Sequence, residues 1–135
     1  MEQINLPADI LVYCVYAESF PEDVQKCHET LHSLVPFSPE RHYFGISVLE
    51  NSEMIYKAAA NALPEEDLTP LNLEEFTVPK GDYTCILIHD FMNNVPAFKE
   101  AFDRLFALPQ IDPESYAYEW YISDHVARCM VKNKV

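Results

Sequence analysis

Apolar and polar positions follow two rhythms along this chain, and each rhythm occurs twice. Asp9 to Ala17 is a β-rich apolar run, after which Val24, Cys27, His28, Leu31, Leu34 and Val35 fall at the spacing of one helical face. Pro21 with Glu22 and Asp23 suits the first turn of that helix, where a missing N–H is harmless and negative charge is favoured, and Pro36 stops it. Two strand-like segments follow, His42 to Leu49 and Glu53 to Ala60. The second half repeats the order. Tyr83 to His89 is the strand, Asn93 or Asn94 the expected cap, and Val95, Phe98, Phe102, Leu105 and Phe106 the helical stripe, which Pro109 ends. Tyr116 to Ser123 and His125 to Val131 then close a second β-α-β-β pattern.

Sliding the sequence against itself by 74 positions brings Val24, His28, Leu31 and Pro39 onto Phe98, Phe102, Leu105 and Pro113. Ile10, Val12 and Cys14 fall on Thr84, Ile86 and Ile88, and Phe44, Ile46 and Val48 on Tyr118, Trp120 and Ile122. The pattern predicts an α+β fold: residues 1–135 as a single domain of two tandem β-α-β-β units, 9–62 and 81–135, sharing an antiparallel sheet with helices on one face. Residues 63–80, rich in proline and acids, are the expected linker, with at most a helical turn around Pro64 to Leu68. Gly81 is the turn that launches the second unit.

Composition narrows the possible partners. At 49% hydrophobic the chain of 135 residues is a folded globular one, and no apolar run approaches the ~18 residues of a membrane span. Twenty-two acids against nine Lys and Arg give a formal charge of -13. Glu50, Glu53, Glu65, Glu66, Asp67, Glu74 and Glu75 crowd around Lys57. Such a balance argues against nucleic acid and anionic membranes and leaves cationic small molecules or a basic protein partner. Cys14, Cys27, Cys85 and Cys129 stand far apart without CxxC pairing and are expected as buried, reduced thiols; the scattered histidines give no metal-ligand spacing. No P-loop, GxGxxG or HExxH points to a cofactor. Met1 to Asp9 has neither a basic segment nor an apolar signal core, which predicts a cytoplasmic location.

Strand parity singles out one acid. Phe44, Ile46 and Val48, and Tyr118, Trp120 and Ile122, are uniformly apolar and are expected to face the helices. Tyr43, Gly45 and Ser47, with Ala117, Glu119 and Tyr121, would then line the opposite, open face, which is the expected ligand groove. Under the offset Glu119 corresponds to Gly45, so an acid on one side meets no side chain on the other. The competing reading is a solvated strand glutamate.

Val78-Pro79-Lys80-Gly81-Asp82-Tyr83, the Val95 to Phe106 helix and Tyr118-Glu119-Trp120-Tyr121 together resemble the GyrI-like small-molecule-binding domain, whose Pro-x-Gly-x-Tyr start and late Glu-x-Tyr they match. Ser19-Phe20-Pro21, Tyr43-Phe44-Gly45-Ile46-Ser47 and Ile55-Tyr56-Lys57-Ala58-Ala59 look like that family's first unit, so the resemblance covers nearly the whole chain. It implies two strand-helix-strand-strand modules with a groove between them for hydrophobic, often cationic compounds. The family's acid carries over to Glu119 and its tyrosine to Tyr121; Tyr43, Gly45, Tyr56, Phe20 and His89 are further candidates for the groove. For Tyr56, Phe20 and His89, as for Tyr13, Tyr83 and Phe91, core packing is the stronger expectation. Relatives are often fused to DNA-binding segments of regulators; this chain resembles the stand-alone, multidrug-type members. Two alternatives accompany this reading. One is a hydrolase of electrophilic genotoxic compounds with Glu119 as general base, and the other is an acidic inhibitor of a DNA-handling enzyme such as gyrase.

Overall fold

The computed structural model describes residues 1–135. Eight strands and two α-helices follow along the chain: β1 (Glu2–Leu6), β2 (Ile10–Tyr16), α1 (Val24–Leu34), β3 (Tyr43–Glu50), β4 (Glu53–Asn61), β5 (Glu74–Val78), β6 (Gly81–His89), α2 (Pro96–Phe106), β7 (Ala117–Tyr121) and β8 (Val126–Lys132). All eight strands join one antiparallel sheet in the order β1-β6-β8-β7-β3-β4-β2-β5, curled into a half-barrel. The fold is thus α+β and built from two repeated strand-helix-strand-strand units. Neither helix is long and apolar enough to cross a membrane.

The repeat is deeper than the sequence pattern suggests. β1 and β5 carry the same burial alternation 72 positions apart, so each unit has a leading strand; β5 lies inside the stretch expected to be linker. Each leading strand pairs with the other unit, β1 with β6 and β5 with β2. The two units are therefore interlocked at both edges, and Glu2, Glu74 and Glu75 there deter further strand addition. The offset of 74 holds through the helices, where Cys27 and Leu31 match Ala101 and Leu105, and at the sheet centre, but not throughout. β2 matches β6 at 71, Ile10 onto Gly81, where both run through an identical sequence of exposed and buried positions. Cys14 is thus equivalent to Cys85, not to Ile88.

Side-chain facing is the reverse of the sequence expectation. Phe44, Ile46 and Tyr118 pack with Leu6, Val12, Cys14, Val78, Tyr83, Cys85 and Met130 in a core that contains no helical residue. That core joins both sheet edges, so it is the inside of the curl. α1 and α2 cover the outer face instead: Cys27 and Leu31 pack on Tyr13, Tyr43, Tyr56, Ala58 and Ala60, and Ala101 and Leu105 on Ile88, Cys129 and Val131. A curled sheet closes its inner face on itself, and the most uniformly apolar residues go there. The outer face can hold tyrosines, small residues and an acid because the helices cover it only in part. The expected groove residues Tyr43, Gly45, Glu119 and Tyr121 therefore share the helical face, and Trp120, expected on the helix side, stands inside the curl against Phe44.

Local detail differs at the helix starts. Pro21 lies in a turn closed by Asp23 N–H on the Ser19 carbonyl, and α1 begins only at Val24. Neither asparagine caps α2; Pro96 occupies its first turn, and the Asn93 amide binds Asp90 instead. Gly81 has φ 134°, a conformation open to glycine, where Tyr83 and the rest of β6 begin. All four cysteines are buried and free, as the apolar pattern around them predicts.

Candidate functional site

β3 and β7 meet at the centre of the sheet with Gly45 opposite Glu119, Tyr43 opposite Tyr121 and Ser47 opposite Ala117. The repeat equates Gly45 with Glu119, so the local two-fold passes between these two residues. The molecule can carry an acid there on one side only, because two carboxylates would collide on the axis.

Glu119 Oε1 accepts two hydrogen bonds, from the Tyr121 hydroxyl at 2.5 Å and the Tyr56 hydroxyl at 2.9 Å. His28 Nε2 lies 2.7 Å from the same Tyr56 oxygen. Since the Tyr56 proton goes to Glu119, Nε2 carries the donating hydrogen, which fixes the imidazole tautomer. Gly45 makes this convergence possible. A Cβ there would stand 2.0 Å from the Tyr56 hydroxyl and 2.5 Å from Glu119 Oε1. Tyr56 reaches from β4 across the bare backbone of β3 to a carboxylate on β7.

Burial pushes the Glu119 carboxyl up, against the opposing pull of the Tyr121 and Tyr56 hydroxyls. Burial, reinforced by the neighbouring carboxylate, raises both tyrosines well above their ordinary range. Burial and then repulsion from His32 lower His28 to about 4, so its ring is neutral at pH 7. No Lys, Arg or His forms an ion pair with Glu119; the ion pairs are Arg41–Glu66, Lys99–Asp103 and Arg128–Glu2. Oε2 accepts no hydrogen bond and retains contact with solvent.

Aromatic rings from matching loops flank the acid. Phe20 stacks on Tyr56 with centroids 5.8 Å apart, and Phe91 lies 5.4 Å from Tyr121. At an offset of 71, Phe20 and Phe91 occupy equivalent places in the two strand-to-helix loops. His28 meets the edge of Tyr121 at 5.3 Å.

Of the residues singled out from sequence, Glu119, Tyr121, Gly45, Tyr56 and Phe20 come together. Tyr43 shares the face but serves α1: its ring lies 4.9 Å from His32, and its hydroxyl accepts the Ser38 N–H. His89 is corrected. It has the parity of Tyr83 and Cys85 on β6 and so points to the other face of the sheet, exposed and away from Glu119. Sequence reasoning missed His28, a polar residue within an apolar stripe, and assigned Phe91 to core packing. His28 breaks its stripe where an aliphatic residue would serve a core, which is the signal that could have found it.

No protein-family model and no curated protein matches the sequence. Solved structures match throughout the chain. An integron cassette protein from the mobile metagenome of Vibrio cholerae superposes with a TM-score of 0.65 at 13% identity, covering 98% of this chain and 94% of that one. A hydrolase from Listeria innocua gives 0.59 at 10% identity, covering 98% and 91%. A structure of a further Listeria innocua hydrolase gives 0.52 at 10% identity, covering 95% and 89%. At these identities the likeness defines the class of fold, a two-unit α+β half-barrel.

Proposed function

We propose that this protein is a GyrI-like small-molecule-binding domain that takes hydrophobic cations into the helix-side groove, with Glu119 as their counter-charge. One observation carries the reading: a half-buried carboxylate, held by two tyrosine hydroxyls and walled by aromatic rings, has no cation of its own chain beside it. Such an acid carries a desolvation cost that folding alone leaves uncompensated, and a desolvated cation between aromatic faces is the ligand that offsets it. The constellation selects charge and shape class, since Oε2 is a single free acceptor without a surrounding array.

The test is a panel of cationic, neutral and anionic aromatic probes, titrated into the native protein and Glu119→Gln. Cations are expected to lose about 1.5–3 kcal/mol of affinity in the variant, with neutral probes little changed. Equal cation binding by both proteins would refute the proposal.

A second reading has its own observation. His28, Tyr56 and Glu119 form a continuous hydrogen-bonded chain, which suits a carboxylate acting as general base toward water, with its neighbours adjusting protonation. Consumption of an electrophilic epoxide by the native protein, abolished in Glu119→Gln, would favour this hydrolase reading over simple binding.

A further inference from the structure

The local two-fold divides the groove floor into equivalent ends, and these ends are filled very differently. On one side of the Gly45–Glu119 pair stand Tyr43 and Tyr121, two large rings beneath α1. Their equivalents, at an offset of 74, are Ala117 and Ser47 on the other side of the pair. Where the first end is filled, the second is a hollow of about 530 Å³, lined by Ser47, Leu49, Met54, Phe106, Pro113 and Ala117 among others. Leu49, Met54 and Phe106 are exposed there at 65%, 41% and 38%. The volume is within the range of small-molecule sites, roughly 300–1,000 Å³.

Two residues of the hollow's lining adjoin the acid in the sheet. Ser47 and Ala117 lie one side-chain step from Gly45 and Glu119 on the same face, a distance of about 7 Å along each strand. Its polar lining residues are Ser47, Ser115 and another acid, Glu114. A ligand whose charged group sat at Glu119 could extend an apolar portion over Ala117 toward Leu49, Met54 and Phe106, and an anionic group at the far end would be repelled.

We propose that this hollow is the tail site for an amphipathic cation, an ammonium head at Glu119 with a linear apolar chain lying over Ser47 and Ala117. The inference rests on the cation reading above and adds to it the shape of the ligand. An unbranched chain fits a strip bounded by one hairpin and one helix end better than a second planar ring does.

The test is calorimetric titration of the native protein with n-alkyltrimethylammonium salts from butyl to decyl, with decyl sulfate as the anionic control. Affinity is expected to rise about fourfold per added methylene until the hollow is filled, as apolar burial dictates, and decyl sulfate is expected not to bind. Ala117→Leu, which fills the hollow, should flatten the chain-length dependence. Met54→Ser, at an exposed position, should weaken the longer chains alone and serves if Ala117→Leu does not fold. Equal affinity for all chain lengths, with Glu119→Gln weakening every member, would overturn the tail site and leave the cation reading intact. Chain-length dependence with affinities that Glu119→Gln leaves unchanged for every member would overturn both. A concentration-dependent dimer that Ala117→Leu dissociates, without chain-length dependence, would assign the hollow to a second copy and overturn the tail site.

Discussion

The two units share a backbone but use different chemistry at equivalent points. Arg41, ahead of β3, and Ser115, ahead of β7, are equivalent at an offset of 74, and each ties the start of its strand to the end of the neighbouring fourth strand. Arg41 is buried and donates to the Asn61 and Pro36 carbonyls and to both oxygens of Glu66. Ser115 Oγ accepts the Lys132 N–H and donates to the Tyr116 carbonyl. Glycine and glutamate oppose each other at the axis in the same way. Packing tolerates either chemistry so long as shape and hydrogen bonds close.

The largest effect should come from the ionic tie. Arg41→Met removes the donor to two carbonyls and leaves Glu66 unpaired, while Ser115→Ala removes one neutral hydroxyl. Urea unfolding is expected to show losses of about 3 kcal/mol for Arg41→Met and about 1 kcal/mol for Ser115→Ala. Similar losses in both would mean that the guanidinium contributes no more than a neutral hydrogen bond. The Arg41 guanidinium, with the Leu63 N–H, lowers Glu66 to about 2. The stabilisation from this tie is thus present above the ordinary carboxylate pKa and is lost as pH falls toward 2. Arg41→Met should flatten that part of the acid profile.

Next in size is the residue at the axis. Gly45→Ala puts a methyl group where the Tyr56 hydroxyl stands, so Tyr56 must leave Glu119 or β3 must shift. A cost of about 2–3 kcal/mol is expected from overpacking and from the lost hydrogen bond, together with weaker cation binding. The double variant Gly45→Ala with Tyr56→Phe should recover part of the stability but not the binding. No recovery would place the decisive clash on Glu119 Oε1 or on the remaining Tyr56 ring carbon.

These contrasts mark what a linear sequence can reveal. Helix stripes and strand runs were legible because burial repeats along one element, and Glu119 with Tyr121 stood out by alternation within a single strand. The facing of the sheet was not legible. Val12, Phe44 and Tyr118 are as apolar as any helix-packing set, and only the curling of the sheet onto itself makes that face the inner core. β1 and β5 escaped because each is short, carries glutamate and is stabilised by pairing with the other unit. Tyr56, on β4, meets Glu119 across an intervening strand, and His28 joins them from a helix. No local spacing encodes such a meeting; Gly45, one of two glycines in the chain, was its nearest sequence sign.

The smallest expected effects separate the two titrating members of the site, one supplied by each unit. His28, from the first, is lowered to about 4, so the unfolded chain takes up its proton before the folded one does. Its contribution therefore favours the folded state above the ordinary histidine pKa and declines as pH falls from about 6.5 to 4. Glu119, from the second, is raised, so the folded protein binds that proton more tightly. Its contribution has the opposite sign, with stability greatest when the carboxyl is protonated and falling as pH rises from about 4.5 through the folded pKa. The two partly cancel in the native protein, and variants should uncover each. His28→Gln is expected to remove the acid-side loss and leave a profile that falls with rising pH; Glu119→Gln is expected to do the reverse and to be more stable than the native protein at pH 7. Under the proposed cation site, affinity is expected to follow Glu119, weakening as acidification neutralises the carboxylate, and an ammonium ligand that holds the charged form should shift that loss to lower pH. Ligand-saturated and ligand-free titrations of Glu119 followed by carboxyl NMR would measure the displacement directly, and coincident curves would detach the carboxylate from the bound charge.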